Sequence, residues 1–135
     1  MALQFSTTVR NAMLDAIETA ISTSAVLKIR SGSAPATCAT ADSGTVLATL
    51  NLPSDYMSAA SSGSKAMTGT WSDSSADATG TAAHWRLYAS DGTTCHAQGT
   101  VTATGGGGDM TVDNTSFASG QAFSVTTFTI TAGNA

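Results

Sequence analysis

Between Ala82 and Val101 the chain reads A-A-H-W-R-L-Y-A-S-D-G-T-T-C-H-A-Q-G-T-V, two alternating runs on either side of Ser90-Asp91-Gly92-Thr93. Asp-Gly between alternating segments is among the strongest short-range signals for a β-hairpin. Side chains on a strand point to opposite faces with period two. Ala83, Trp85, Leu87 and Ala89 therefore share one face of the first arm, and His84, Arg86 and Tyr88 share the other. The second arm sets Cys95, Ala97, Gly99 and Val101 against His96, Gln98 and Thr100. A pairing this well specified commits the chain to antiparallel sheet.

The remaining segments agree with a mainly β fold. Ala25–Arg30, Thr45–Leu52, Lys65–Trp71, Met110–Asp113 and Ala122–Thr131 carry strand patterns, separated by small-residue loops. In the last of these Phe123 and Val125 fall on one face and Phe128 and Ile130 on the other. That phase flip at Thr126-Thr127 predicts a β-bulge or a strand buried on both sides. Residues 6–22 alone read as a helix, with Ser6 or Thr7 as N-cap and Val9, Met13, Ile17 and Ile21 recurring at i+4. Arg10, Asn11, Asp15 and Glu18 occupy the other side. The expected architecture is a β-sandwich or rolled β-barrel of about seven strands with one N-terminal amphipathic helix. Residues 1–24 form the helical segment packed on a β-domain of residues 25–135, one domain overall.

Composition narrows the function classes. Charged residues are 10% of the chain against roughly 25% in ordinary domains, and the net charge is −4. Nucleic-acid binding needs clustered cations, and five Lys and Arg do not supply them. No run reaches transmembrane length, and no basic region followed by an apolar core marks a secretory signal. Without such a route Cys38 and Cys95 are expected as free thiols, and Asn114-Thr115-Ser116 as an idle sequon.

No catalytic, cofactor or metal site is expected. Gly105–Gly108 lacks the Lys-Ser/Thr of a phosphate loop and reads as a flexible turn. Cys95 and His96 are adjacent, so on a strand they cannot easily share an ion, and His84 and His96 are expected exposed. Asp73, Asp77, Asp91, Asp109 and Asp113 sit in turns without the dense spacing of a calcium loop. No serine stands in a G-x-S-x-G elbow. Two surfaces remain as candidates: the stripe Val9, Met13, Ile17 and Ile21, facing either the sheet or a partner, and exposed aromatics at Tyr56 and Tyr88. With Trp71, those aromatics would suit stacking on sugars.

Several segments, taken together and in order, resemble a family of small virion structural proteins of tailed bacteriophages. They are L-Q-F-S-T-T-V-R-N-A-M-L-D-A-I-E-T-A-I, A-V-L-K-I-R-S-G-S-A-P-A, G-T-V-L-A-T-L-N-L-P, S-A-D-A-T-G-T-A-A-H-W-R-L-Y-A-S-D-G-T and G-G-G-G-D-M-T-V-D-N-T-S-F-A-S-G-Q. The resemblance implies a non-enzymatic part of a phage particle, assembled in the bacterial cytoplasm. It transfers no catalytic residue. A capsid decoration (cement) protein is the leading expectation, with the major capsid protein and copies of itself as partners in a dimer or trimer. The alternative is a tail-associated protein, either structural or host-contacting through glycan binding. Nucleic acid, membrane and small-molecule substrates are not expected as partners.

Overall fold

The structure is a computed structural model and describes residues 2–135. The chain is mainly β with one N-terminal helix, as the alternation requires. Helix α1 spans Thr7–Ile21. The strands are β1 Val26–Arg30, β2 Val46–Asn51, β3 Ser64–Ala66, β4 Ser72–Asp73, β5 Gly80–Thr81, β6 His84–Tyr88, β7 Cys95–Ala103, β8 Met110–Val112, β9 Ser116–Phe117 and β10 Phe123–Thr131. Eight strands share one sheet in the order β2-β1-β6-β7-β8-β10-β3, with β4 also on β10. The short β5 and β9 form a separate pair. They occupy segments whose small residues read as loop and turn.

The large sheet rolls over its own apolar face. Trp85 of β6 meets Phe128 of β10 edge to face at 5.1 Å, and Trp71 lies 5.4 Å from the same ring. Strands β2 and β3 at the two edges do not pair, so the roll stays open and no barrel closes. The phase flip in β10 is a bulge: its register against β8 slips between Val125 and Thr127. The extra residue turns Phe123, Val125 and Phe128 all inward and leaves Thr126 and Thr127 outside.

Strands β7 and β8 run parallel and adjacent, with Val101 opposite Met110. Parallel neighbours ordinarily need a long crossover, yet here the glycine tract makes the connection. Gly105 and Gly107 take φ +85° and +79°, conformations that L side chains rarely adopt. The alternate pair packs tightly: a Cβ on Gly106 or Gly108 would stand 2.7 or 2.9 Å from the Thr102 side chain. The Gly108 amide donates to Thr102 Oγ1 at 3.0 Å, and Asp109 accepts from the Thr100 amide and hydroxyl at 2.9 Å. The tract is a fixed crossover, which corrects its reading as a flexible turn.

Gly108→Ala should therefore destabilise the fold by about 1–3 kcal/mol through overpacking. Gly105→Ala should cost about 1 kcal/mol through the positive φ alone. Urea unfolding midpoints at unchanged slope read both; wild-type stability for Gly108→Ala would show the crossover to be slack.

Candidate functional site

The β1, β6 and β7 registers bring Lys28, Arg30, His84, Arg86, Tyr88 and Gln98 onto one face of the sheet. Leu27, Ile29, Trp85 and Leu87 line the other face and join the core. Alternation thus assigns the faces of the first hairpin arm correctly. The polar face is nevertheless not solvent-exposed. The loop of residues 31–45 lies across it, and His84, Arg86 and Tyr88 are 0–1% exposed. This corrects the expectation of an exposed His84 and an exposed Tyr88.

Arg86 fastens the cover. Its Nε donates to Cys95 Sγ at 3.2 Å, and Nη1 to the Thr40 carbonyl at 3.1 Å and to Asp42. Nη2 donates to the carbonyls of Cys38 at 2.7 Å and Thr37 at 3.4 Å. Arg30 pairs with Asp42 at 2.6 Å and reaches the Ser43 carbonyl, while Gln98 donates to the Pro35 carbonyl at 2.6 Å. Tyr88 gives its hydroxyl proton to Asp42 at 2.8 Å, and Lys28 lies 4.9 Å above the Tyr88 ring. Burial works to raise the Asp42 pKa, but the Tyr88 hydroxyl and the two guanidiniums outweigh it and hold the carboxyl below its ordinary value. Burial, and then the bond to Asp42, push Tyr88 up to about 12.

The register of β7 slips opposite Leu87 and Tyr88, so that Tyr88 faces Cys95 and His96 is the extra residue. The slip moves Cys95 from the face it would share with Ala97 to the covered polar face. There it lines, with Cys38, Lys28, Asp42 and Arg86, a pocket of about 280 Å³. Both cysteines are free thiols. Strict alternation hides this juxtaposition. A usable signal did exist in the cations Lys28, Arg30 and Arg86, which the two strand patterns place on matching sides and which demand a counter-charge.

The helix is fastened through the side expected to be polar and free. Lys65, 2% exposed, bonds Asp15 and Glu18, each at 2.8 Å, and the Ser58 carbonyl at 2.7 Å. Asp15 also accepts from the Ala60 amide, Asn11 from the Gly63 amide and Glu18 from the Met57 amide. Arg10 donates to the Ala132 carbonyl. The bond to Lys65, then that to Ala60, hold Asp15 below its ordinary pKa. Ser6 caps the helix by accepting from the Val9 amide. Of the apolar stripe, Ile21 is buried and Ile17 half-buried, but Val9 and Met13 are 43% and 49% exposed. Leu14, absent from the expected stripe, is the other buried helix residue. A cleft of about 550 Å³ between helix and β-domain is lined by Asp15, Glu18, Asp55, Met57 and Lys65 among others.

The second expected exposed aromatic, Tyr56, is also buried. It packs 6.3 Å from Trp71, and burial followed by the nearby Glu18 raises its pKa to about 12. Asp91 and Asp73 serve their own turns, accepting from the Thr93 and Thr94 amides and from the Ser75 amide, while Asp113 reaches across to accept from the Ser124 amide of β10. His84 and His96 do not meet, since one is under the loop and the other is exposed. Among the described residues no group of three or more His, Cys, Asp or Glu side chains is arranged to hold a metal ion, and no helix is long and apolar enough to cross a membrane.

His84 Nδ1 lies 2.8 Å from the Gly32 carbonyl and so carries the proton, leaving buried Nε2 without a partner. Burial lowers the imidazole pKa, aided by Arg30 and Arg86 and opposed by the Gly32 bond and Asp42. The unfolded chain therefore binds the proton first as pH falls. Stability that is complete above about pH 7 should decline from about pH 6.5 toward the folded pKa. His84→Gln should flatten that part of the stability profile between pH 8 and 5, above the range where carboxylates titrate. Asp42→Asn should destabilise by about 2–3 kcal/mol, short of a fully buried pair because the carboxylate keeps some water. A loss under about 0.5 kcal/mol, the scale of an ordinary surface change, would show that Asp42 does not hold the loop.

No family model matches the chain, and no curated protein or solved structure matches it.

Proposed function

We propose that this chain is a non-enzymatic structural protein of a tailed-bacteriophage particle and, within that class, a decoration protein seated in many copies on the head shell. One observation carries the reading beyond the resemblance of its segments. The three large hydrophobic side chains exposed among the described residues, Leu3, Val9 and Met13, all lie at the N-terminal end, on or just before one helix. Ile17 and Ile21 pack on the core and polar contacts fasten the rest of the helix, so the exposed Val9 and Met13 in its first half are free for another surface. Large apolar side chains left exposed together at one end of a chain are the kind of feature that supports an interaction site.

Other features fit the same use. The outer edge of β2 is capped where the Asp77 amide donates to the Leu47 carbonyl at 2.7 Å, and that of β3 where Ser58 donates to Ala66 at 2.8 Å. Strand addition at those points is blocked, which leaves the helix as the docking element. Burial of Tyr56, Tyr88, Trp71 and Trp85 removes the stacking platform that a glycan-binding tail protein would use. That weighs against the glycan-binding form of the alternative.

Quantitative mass spectrometry of purified particles tests the proposal. The expected copy number approaches that of the major capsid protein, whereas a handful of copies per particle would assign the chain to the tail. A Val9→Asp, Met13→Asp double variant should keep its unfolding free energy within about 1 kcal/mol, as exposed substitutions do. It should nevertheless be lost from particles. Full occupancy by this variant would overturn the helix face as the docking surface.

A further inference from the structure

We propose that Cys38 and Cys95 form a dithiol that closes into a disulfide within the folded protein, stapling the loop of residues 31–45 to the β6–β7 hairpin. The inference stands independently of the proposed function. The two residues come together on one guanidinium: Arg86 Nε donates to Cys95 Sγ at 3.2 Å while Nη2 donates to the Cys38 carbonyl at 2.7 Å. Nε and Nη2 flank the same edge of the planar group, so the donors present the two cysteines side by side. The two cysteines line the same pocket of about 280 Å³, and Cys38 lies close enough to Cys95 to act on its ionisation. Both are half-buried, which leaves them reachable by a small oxidant.

Cys95 Sγ accepts from Arg86 Nε and donates to the Ala97 carbonyl at 3.4 Å, weak contacts that a thiol can exchange for a covalent bond. All five Arg86 donors are satisfied by Cys95, Asp42 and loop carbonyls, which leaves no free cationic fork for an anion in this pocket. Burial, and then contact with Cys38, raise the Cys95 pKa, while Arg86 opposes them. At neutral pH Cys95 therefore rests as a thiol and reacts through its minor thiolate fraction.

The co-reactant is a small dialkyl disulfide such as oxidised glutathione. One protein thiolate attacks a sulfur of that disulfide, the reagent S–S bond breaks, and one reagent thiolate leaves and takes up a proton. The second protein thiolate then attacks the mixed disulfide, forms the Cys38–Cys95 bond and expels the second reagent thiol. Two protein thiols are oxidised, one reagent disulfide is reduced to two thiols, and the protein's two protons end on them. The closing movement falls on the loop side, where Cys38 lies outside any strand.

The test incubates the native full-length chain with oxidised glutathione, followed by intact-mass analysis and peptide mapping without reduction. The expected product has lost two hydrogen atoms and links the Cys38 and Cys95 peptides. It forms at a rate independent of protein concentration and unfolds about 10 °C higher than the reduced chain, because the bridge closes a long loop of the unfolded state. Cys38→Ser should stop at a single glutathione adduct and lose the thermal gain. Two stable glutathione adducts per chain, covalent dimers, or a bridge that forms only in denaturant would each overturn the proposal.

Discussion

The structure depends on how one sheet face handles its cations. Arg86 is almost completely removed from water, with Arg30 and His84 beside it, and an isolated buried charge is prohibitively unfavourable. What replaces water is the loop of residues 31–45, whose main-chain carbonyls at Gly32, Pro35, Thr37, Cys38, Thr40 and Ser43 turn toward the sheet. Asp42 adds the counter-charge between the two guanidiniums. The dependence runs both ways. The loop contains little but Ser, Ala, Thr and Gly, so it has no apolar payload with which to fold down. The cations give it an address, and its carbonyls allow them to be buried.

The same arrangement explains what was legible in the sequence. Alternation in H-W-R-L-Y fixes which side chains share a face, and the structure keeps those faces. It does not say whether a face meets water, because the cover comes from a segment some forty residues earlier with no pattern of its own. A polar face read in isolation looks exposed. Tyr88 and His84 look exposed in the sequence for that reason alone, and Tyr56 because its loop carries too little pattern to show that it folds back against Trp71. Cys95 was assigned to the wrong face because one extra residue in β7 reverses the parity of everything before it.

The helix shows a different limit. Its span and its Ser6 cap follow from local chemistry, and both are where the sequence places them. Its orientation is not a local property. The i+4 series Val9, Met13, Ile17, Ile21 is the most regular apolar stripe, yet the helix is rotated so that Arg10, Asn11, Asp15 and Glu18 face the β-domain. Lys65 decides this. It is buried on β3 and needs two carboxylates within reach, and burial alone would lower its pKa. Satisfying that ammonium outweighs burying two half-exposed apolar side chains, whose full burial from water is worth about 1.5–3 kcal/mol each.

These arrangements together account for the character of the outer surface. The chain has five Lys and Arg residues, and each is committed inside the molecule: Arg10 to Ala132, Lys28 to Gly92, Arg30 and Arg86 to Asp42, Lys65 to the helix. The outside is therefore hydroxyl- and methyl-rich with a few carboxylates and almost no positive charge. Such a surface gives weak long-range steering and little electrostatic protection against self-association. Contacts made there must be won by shape and apolar area at short range. The Val9 and Met13 side of the helix is where that area is concentrated, and salt should alter its contacts far less than those of a charged interface.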